Sequence, residues 1–75
     1  MPFIVEASTS DPAAREGHAK GNLADYEICP TRPKACEQTH RYHRSGYWVE
    51  VYDQDSGELL SGPINPDQPL PSYIV

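Results

Sequence analysis

Apolar and polar residues alternate along Phe3-Ile4-Val5-Glu6-Ala7, with Phe3, Val5 and Ala7 on one side, and this period of two predicts a first β-strand. Ser10-Asp11-Pro12-Ala13-Ala14 then has the form of a helix start, a capping oxygen followed by proline at the first helical position, but Gly17 and Gly21 cut it to a turn or two. Alternation resumes over Leu23–Ile28, which predicts a second strand with Ala24, Tyr26 and Ile28 inward and Asp25 and Glu27 outward. Pro30 and Pro33 predict an extended or turned connection, because each fixes its own backbone angle and biases the preceding residue away from helix. Lys34–Arg44 holds neither proline nor glycine and is rich in helix formers, so a helix is expected there, ended by Ser45-Gly46.

The most definite pattern is Tyr47-Trp48-Val49-Glu50-Val51-Tyr52, the turn Asp53-Gln54-Asp55-Ser56-Gly57, and Glu58-Leu59-Leu60. β-Branched and aromatic residues at period two, around a turn rich in Asp and Ser with Gly57 free to take a positive φ, predict a β-hairpin. Trp48 and Tyr52 share the face opposite Val49 and Val51, where they either pack under the helix or form a contact patch. Pro63, Pro66, Pro69 and Pro71 argue against an interior strand or helix. The expected organisation is one α+β domain over residues 1–62, a small antiparallel sheet of three or four strands with one short helix over one face. An extended proline-rich tail, 63–75, follows, with Leu70, Tyr73, Ile74 and Val75 able to fold back on the sheet.

Length makes that core small. A chain of 75 residues buries about 60% of its unfolded surface, and 37% hydrophobic residues with eight prolines and five glycines suit a compact sheet better than a helical bundle. No basic, apolar and cleavage-site sequence opens the chain, and no apolar run reaches the roughly 20 residues that cross a bilayer. These features lead us to expect a soluble, cytoplasmic protein with reduced cysteines and no membrane contact.

Charge divides the chain further. Within the net charge of −5, residues 29–44 carry Arg32, Lys34, Arg41 and Arg44 against Glu37, whereas 45–75 carry Glu50, Asp53, Asp55, Glu58 and Asp67 with no basic residue. Direct nucleic-acid binding needs clustered Lys and Arg, so this balance argues against it.

Candidate chemistry concentrates between Cys29 and His43. On a helix Cys36, His40 and His43 fall at i, i+4 and i+7, and Cys29 at a strand end could complete a Cys2His2 zinc site. The spacing is unorthodox, with six residues between the cysteines and two between the histidines. A Cys29–Cys36 disulfide would close a short loop stiffened by Pro30 and Pro33. The plainer alternative packs Cys36 and Cys29 as small apolar residues and leaves His40 and His43 on a solvated face; on it the chain has no cofactor. Cys-His catalysis would also need an orienting group, a cleft and an oxyanion site, for which so small a domain has little volume, so no enzyme is expected. Asp53 and Asp55 could ligate calcium but suit turn chemistry better, and the apolar Tyr73-Ile74-Val75 end could serve as a carboxylate-capture ligand or dock on the core.

The expected function is that of a small acidic binding protein. Its aromatic, acidic hairpin and tail, through Trp48, Glu50, Tyr52, Asp53, Asp55, Glu58 and Asp67, would dock on a protein with a basic surface. That partner would be, for example, a nucleic-acid-binding complex whose phosphates the carboxylates mimic. In kind, though at no particular residue, such a domain is similar to inhibitors that phages and mobile elements encode against host defence, such as anti-CRISPR proteins. The alternative is a small zinc-stabilised module built on Cys29, Cys36, His40 and His43.

Overall fold

Four antiparallel strands and one helix give a small α+β fold in the computed structural model, which describes residues 2–10 and 23–71. The elements are β1 (Phe3–Ser8), β2 (Leu23–Cys29), α1 (Arg32–Arg44), β3 (Trp48–Asp53) and β4 (Leu59–Ile64). The sheet order is β2-β1-β3-β4, so β1 and β3 are central and β2 and β4 are edges. Since β2 and β3 are both antiparallel to β1, they run parallel to each other. Joining them takes a crossover connection, which α1 provides. That one crossover explains why a single face of the sheet is covered. The helix expected after Ser10 and the terminal Tyr73-Ile74-Val75 lie outside the described residues.

The covered face carries Phe3, Val5 and Ala7 of β1, Val49 and Val51 of β3, Cys29 of β2 and Ile64 of β4, all buried against Ala35 and Tyr42 of α1. Ala35, Thr39 and Tyr42 follow one another at helical spacing and make the buried stripe of α1. Thr39 is fully buried without an unsatisfied hydroxyl, because its Oγ1 donates to the carbonyl of Ala35 at 2.8 Å. Leu70 is partly buried and packs against this core.

Both ends of α1 are set by local chemistry. Thr31 is the N-cap and its Oγ1 accepts from the Lys34 amide at 3.4 Å. The helix begins at Arg32, two residues before the expected Lys34, because Pro33 lies in the first turn rather than in a connection. There its missing N–H would have had no helical partner in any case. At the other end Tyr47 N–H donates to the Tyr42 carbonyl and Gly46 N–H to that of His43, both at 3.1 Å, with Gly46 at φ +92°. This is a Schellman ending, and the rings of Tyr42 and Tyr47 meet edge to face at 6.3 Å across it.

The hairpin forms where the sequence places it. Asp53 N–H donates to the Glu58 carbonyl at 2.9 Å, Gly57 N–H to that of Asp53 at 2.8 Å, and Gly57 takes φ +75°. β4 continues to Ile64 through Pro63, beyond the expected tail boundary. An edge strand tolerates proline, since its N–H need not join a ladder.

One expectation is reversed. Val5 pairs with Glu27 and Ala7 with Asp25, whereas Ile4 pairs with Ile28 and Glu6 with Tyr26. Side chains of directly paired residues share a face, so Asp25 and Glu27 lie on the helix side and Tyr26 and Ile28 on the open side. Alternation fixes which residues of β2 go together but not which set faces the helix. At the sheet margin α1 presents polar residues, and Glu27 shares a groove with Lys34, Gln38 and Arg41.

Candidate docking surface

The uncovered face is ordered by strand register. One row runs Leu59, Tyr52, Ile4 and Ile28; the next runs Glu50, Glu6 and Tyr26; the third runs Trp48, Ser8 and Leu23. Exposure rises outward: Trp48, Tyr52 and Ile4 are half-buried, Ile28 is 48% exposed and Tyr26 56%. Aromatic and aliphatic side chains therefore surround two carboxylates, Glu6 and Glu50, held directly opposite each other on the central strands.

Burial, followed by the carboxylate of Glu50 and a hydrogen bond with it, pushes the phenol of Tyr52 up to about 12. The ring stays neutral at any ordinary pH and is available as an amphipathic contact. Beside it a depression of about 240 Å³ is lined by Ile4, Glu6, Tyr52, Asp53, Gln54 and Gly57.

The expected contact residues separate into groups. Trp48, Glu50 and Tyr52 share the open face of β3. Asp55 and Glu58 are exposed at the hairpin turn at one end of the same sheet. Asp53 belongs to the covered face: it is 7% exposed, and its Oδ1 accepts from the Asp55 amide at 2.9 Å. It therefore closes the turn rather than presenting charge. Asp67 is exposed in the turn after β4, where its amide donates to Asn65 Oδ1 at 2.8 Å. Ile4, Glu6, Tyr26 and Ile28 complete the face and were not singled out from sequence; alternation in β1 and β2 was the available signal.

The Cys/His cluster is spread over different environments. Cys29 is buried beside Phe3, and burial, then Glu27 and Glu37, push its thiol up against a smaller opposing pull from Lys34. Cys36 is half-buried against the core, and both cysteines are free thiols. His40 is exposed. Nε2 of His43 lies 2.6 Å from the Gln68 carbonyl, an acceptor, so that nitrogen carries a proton and donates. Among the described residues, no three His, Cys, Asp or Glu side chains are grouped to hold a metal ion. Likewise, no helix among them is long and apolar enough to cross a membrane.

Compared with protein-family models, curated proteins and solved structures, the chain matches none.

Proposed function

We propose that the protein is a non-enzymatic binding protein that docks through the open face of its sheet on a basic surface of another protein. The observation that supports this is the row arrangement around Glu6 and Glu50, with Trp48 and Tyr52 on either side of Glu50 along β3. Half-buried aromatic rings supply area that can be desolvated at little entropic cost, and carboxylates among them select a cationic partner. Asp55 and Glu58 extend the negative field from the hairpin turn and favour fast encounter. A nucleic-acid-binding complex has the matching chemistry, because a cleft made for phosphates accepts ordered carboxylates. Inhibition of such a complex, in the manner of phage-encoded antagonists of host defence, is the biological form of this reading.

The test is capture from an extract of the source cells, identification of the retained protein by mass spectrometry, and kinetics with purified components. Trp48→Ala combined with Glu50→Lys is expected to abolish retention while the far-ultraviolet circular dichroism stays native. Asp55→Lys with Glu58→Lys is expected to slow association and flatten its salt dependence. Unchanged kinetics in both folded variants would overturn the proposal.

A further inference from the structure

The two edges of the sheet are unlike. β4 carries Pro63 and its pairing with β3 shifts register twice, features that blunt an edge against further pairing. β2, Leu-Ala-Asp-Tyr-Glu-Ile-Cys, has neither proline nor glycine, among the described residues only β1 pairs with it, and its one register shift, between Ala7 and Ser8 of β1, is confined to its Leu23 end. The backbone groups it turns outward follow from parity across the sheet. Gln54 N–H donates to the Pro2 carbonyl, so even-numbered residues of β1 and β3 bond each other. Odd-numbered residues of β1 then face β2, where they meet Asp25, Glu27 and Cys29. The N–H and C=O groups of Tyr26 and Ile28 consequently point away from the sheet, whereas Ala24 lies at the register shift opposite Ala7 and Ser8. In agreement, the Tyr26 amide bonds no strand but donates to Asp25 Oδ1 at 2.8 Å.

We propose that this edge accepts an extended segment of a basic partner as a fifth, antiparallel strand, with apolar side chains beside Tyr26 and Ile28 and Lys or Arg side chains toward Asp25 and Glu27. The inference rests on the basic character assigned to the partner above and adds the place and manner of contact. A groove of about 240 Å³ lies where the inward side chains would enter, between β2 and α1, with Glu27, Lys34, Gln38 and Arg41 on its walls. Glu27 is the charged side chain on the strand wall of the groove; Lys34 and Arg41 face it from the helix, with Arg41 3.7 Å from Glu37 across one helical turn.

A second copy of the chain is a poor occupant for a reason of register. Antiparallel β2–β2 pairing must oppose outward-facing, even-numbered residues to one another. Centring on Tyr26 sets Asp25 against Glu27 of the copy, centring on Glu27 opposes the two Glu27 residues, and centring on Asp25 opposes the two Asp25 residues. Each register near the strand centre thus places like charges directly across, which destabilises pairing. A strand alternating apolar and basic residues removes the conflict, and its carbonyl would replace Asp25 Oδ1 as acceptor of the Tyr26 amide, releasing that carboxylate toward a basic side chain.

The probe is a fluorescein-labelled, end-capped octapeptide of alternating Val and Lys, titrated with the full chain at low salt and read by fluorescence anisotropy. In antiparallel addition the valines lie opposite Tyr26 and Ile28, and their own amides point at β2. N-methylation of the valine amides is expected to weaken binding at least tenfold, and N-methylation of the lysine amides to leave it within threefold. Glu27→Lys, at an exposed position, is expected to cost tenfold or more, and a composition-matched peptide with its lysines in one block to bind at least tenfold more weakly. Equal affinities for the two methylated peptides, an unchanged affinity in Glu27→Lys, no binding, or a dimer of the free chain in sedimentation would each overturn the proposal. Trp48→Ala with Glu50→Lys lies on β3 and leaves β2 intact: a wild type that does not bind the octapeptide while this variant loses the cellular partner is failure of the edge site alone, and octapeptide binding by a variant that keeps the cellular partner is failure of the docking face alone.

Discussion

The two faces of the sheet are built from the same strands and differ in what alternation assigns to each. On the covered face, Val5, Val49 and Val51 are fully buried and stiff at χ1, and they pack against Ala35 and Tyr42. On the open face, Glu6 and Glu50 stand among rings and aliphatic side chains that keep substantial exposure. The valines hold the fold together; the open face contributes less to it and is the face proposed for recognition. Substitutions that distinguish stability from binding test this division directly.

The largest expected effect is on the covered face. Val51→Ala removes two methyl groups from a site with no solvent access, so lost transfer energy and a residual cavity together cost about 2–3 kcal/mol. Urea unfolding followed by circular dichroism measures it. A change below half a kcal/mol would mean that the two faces contribute alike.

Next in size is the hairpin that joins β3 to β4. Gly57 is at φ +75° with open space around the position of a Cβ, so backbone strain alone decides the outcome of a substitution. Gly57→Val is expected to destabilise by about 1–2 kcal/mol. Gly57→Asn, which tolerates this conformation, should recover most of the loss.

A third expectation concerns one phenol on each face. Burial is the leading cause that pushes both Tyr42, on the buried side of α1, and Tyr52, on the open face, up to about 12; the carboxylates of Asp25 and Glu50, respectively, come next. In the unfolded chain both titrate near 10. A folded value above the unfolded one gives stability that is complete below about pH 10 and is lost as pH rises from about 10 to 12. Tyr52→Phe and Tyr42→Phe should each remove part of that alkaline decline, read as thermal midpoint against pH. Equal slopes in wild type and both variants would show the phenols to be no more perturbed than in the unfolded chain.

Much of this fold was legible because strand alternation and turn chemistry are local. Phe3, Val5 and Ala7, the Trp48–Tyr52 alternation and Gly57 all behave as their spacing indicates. The facing of β2 was not legible, since an alternating segment reads the same from either side and only pairing with β1 decides it. For that reason the sequence alone places Tyr26 and Ile28 inward, and only the hairpin points to the open face. For Asp53 the sequence supports both turn chemistry and a charge presented to a partner, and the hydrogen bond from the Asp55 amide decides for the turn. For the Cys29–His43 cluster, helical spacing aligned Cys36, His40 and His43 but carried no information on the strand-borne Cys29. With Cys29 in the core and His43 donating to Gln68, treatment with a chelator is expected to leave the melting temperature unchanged, and a fall on chelation would restore the zinc-stabilised alternative.

The smallest expected effect on stability separates the faces most sharply. Tyr26→Ser and Ile28→Thr change side chains that are already 56% and 48% exposed, so little apolar area is lost from the folded state. Thr also keeps the β-branched shape that suits a strand. Each is expected to shift unfolding by no more than about 0.5 kcal/mol, a fraction of the Val51→Ala cost, although both sit on strands of the same sheet. Binding should behave oppositely, because desolvating these two side chains contributes only when a partner covers them. The double variant is expected to bind the alternating octapeptide at least tenfold more weakly while its urea midpoint hardly moves. A double variant that unfolds readily would instead make β2 part of the core, and the distinction between a stabilising face and a recognising one would then fail at its margin.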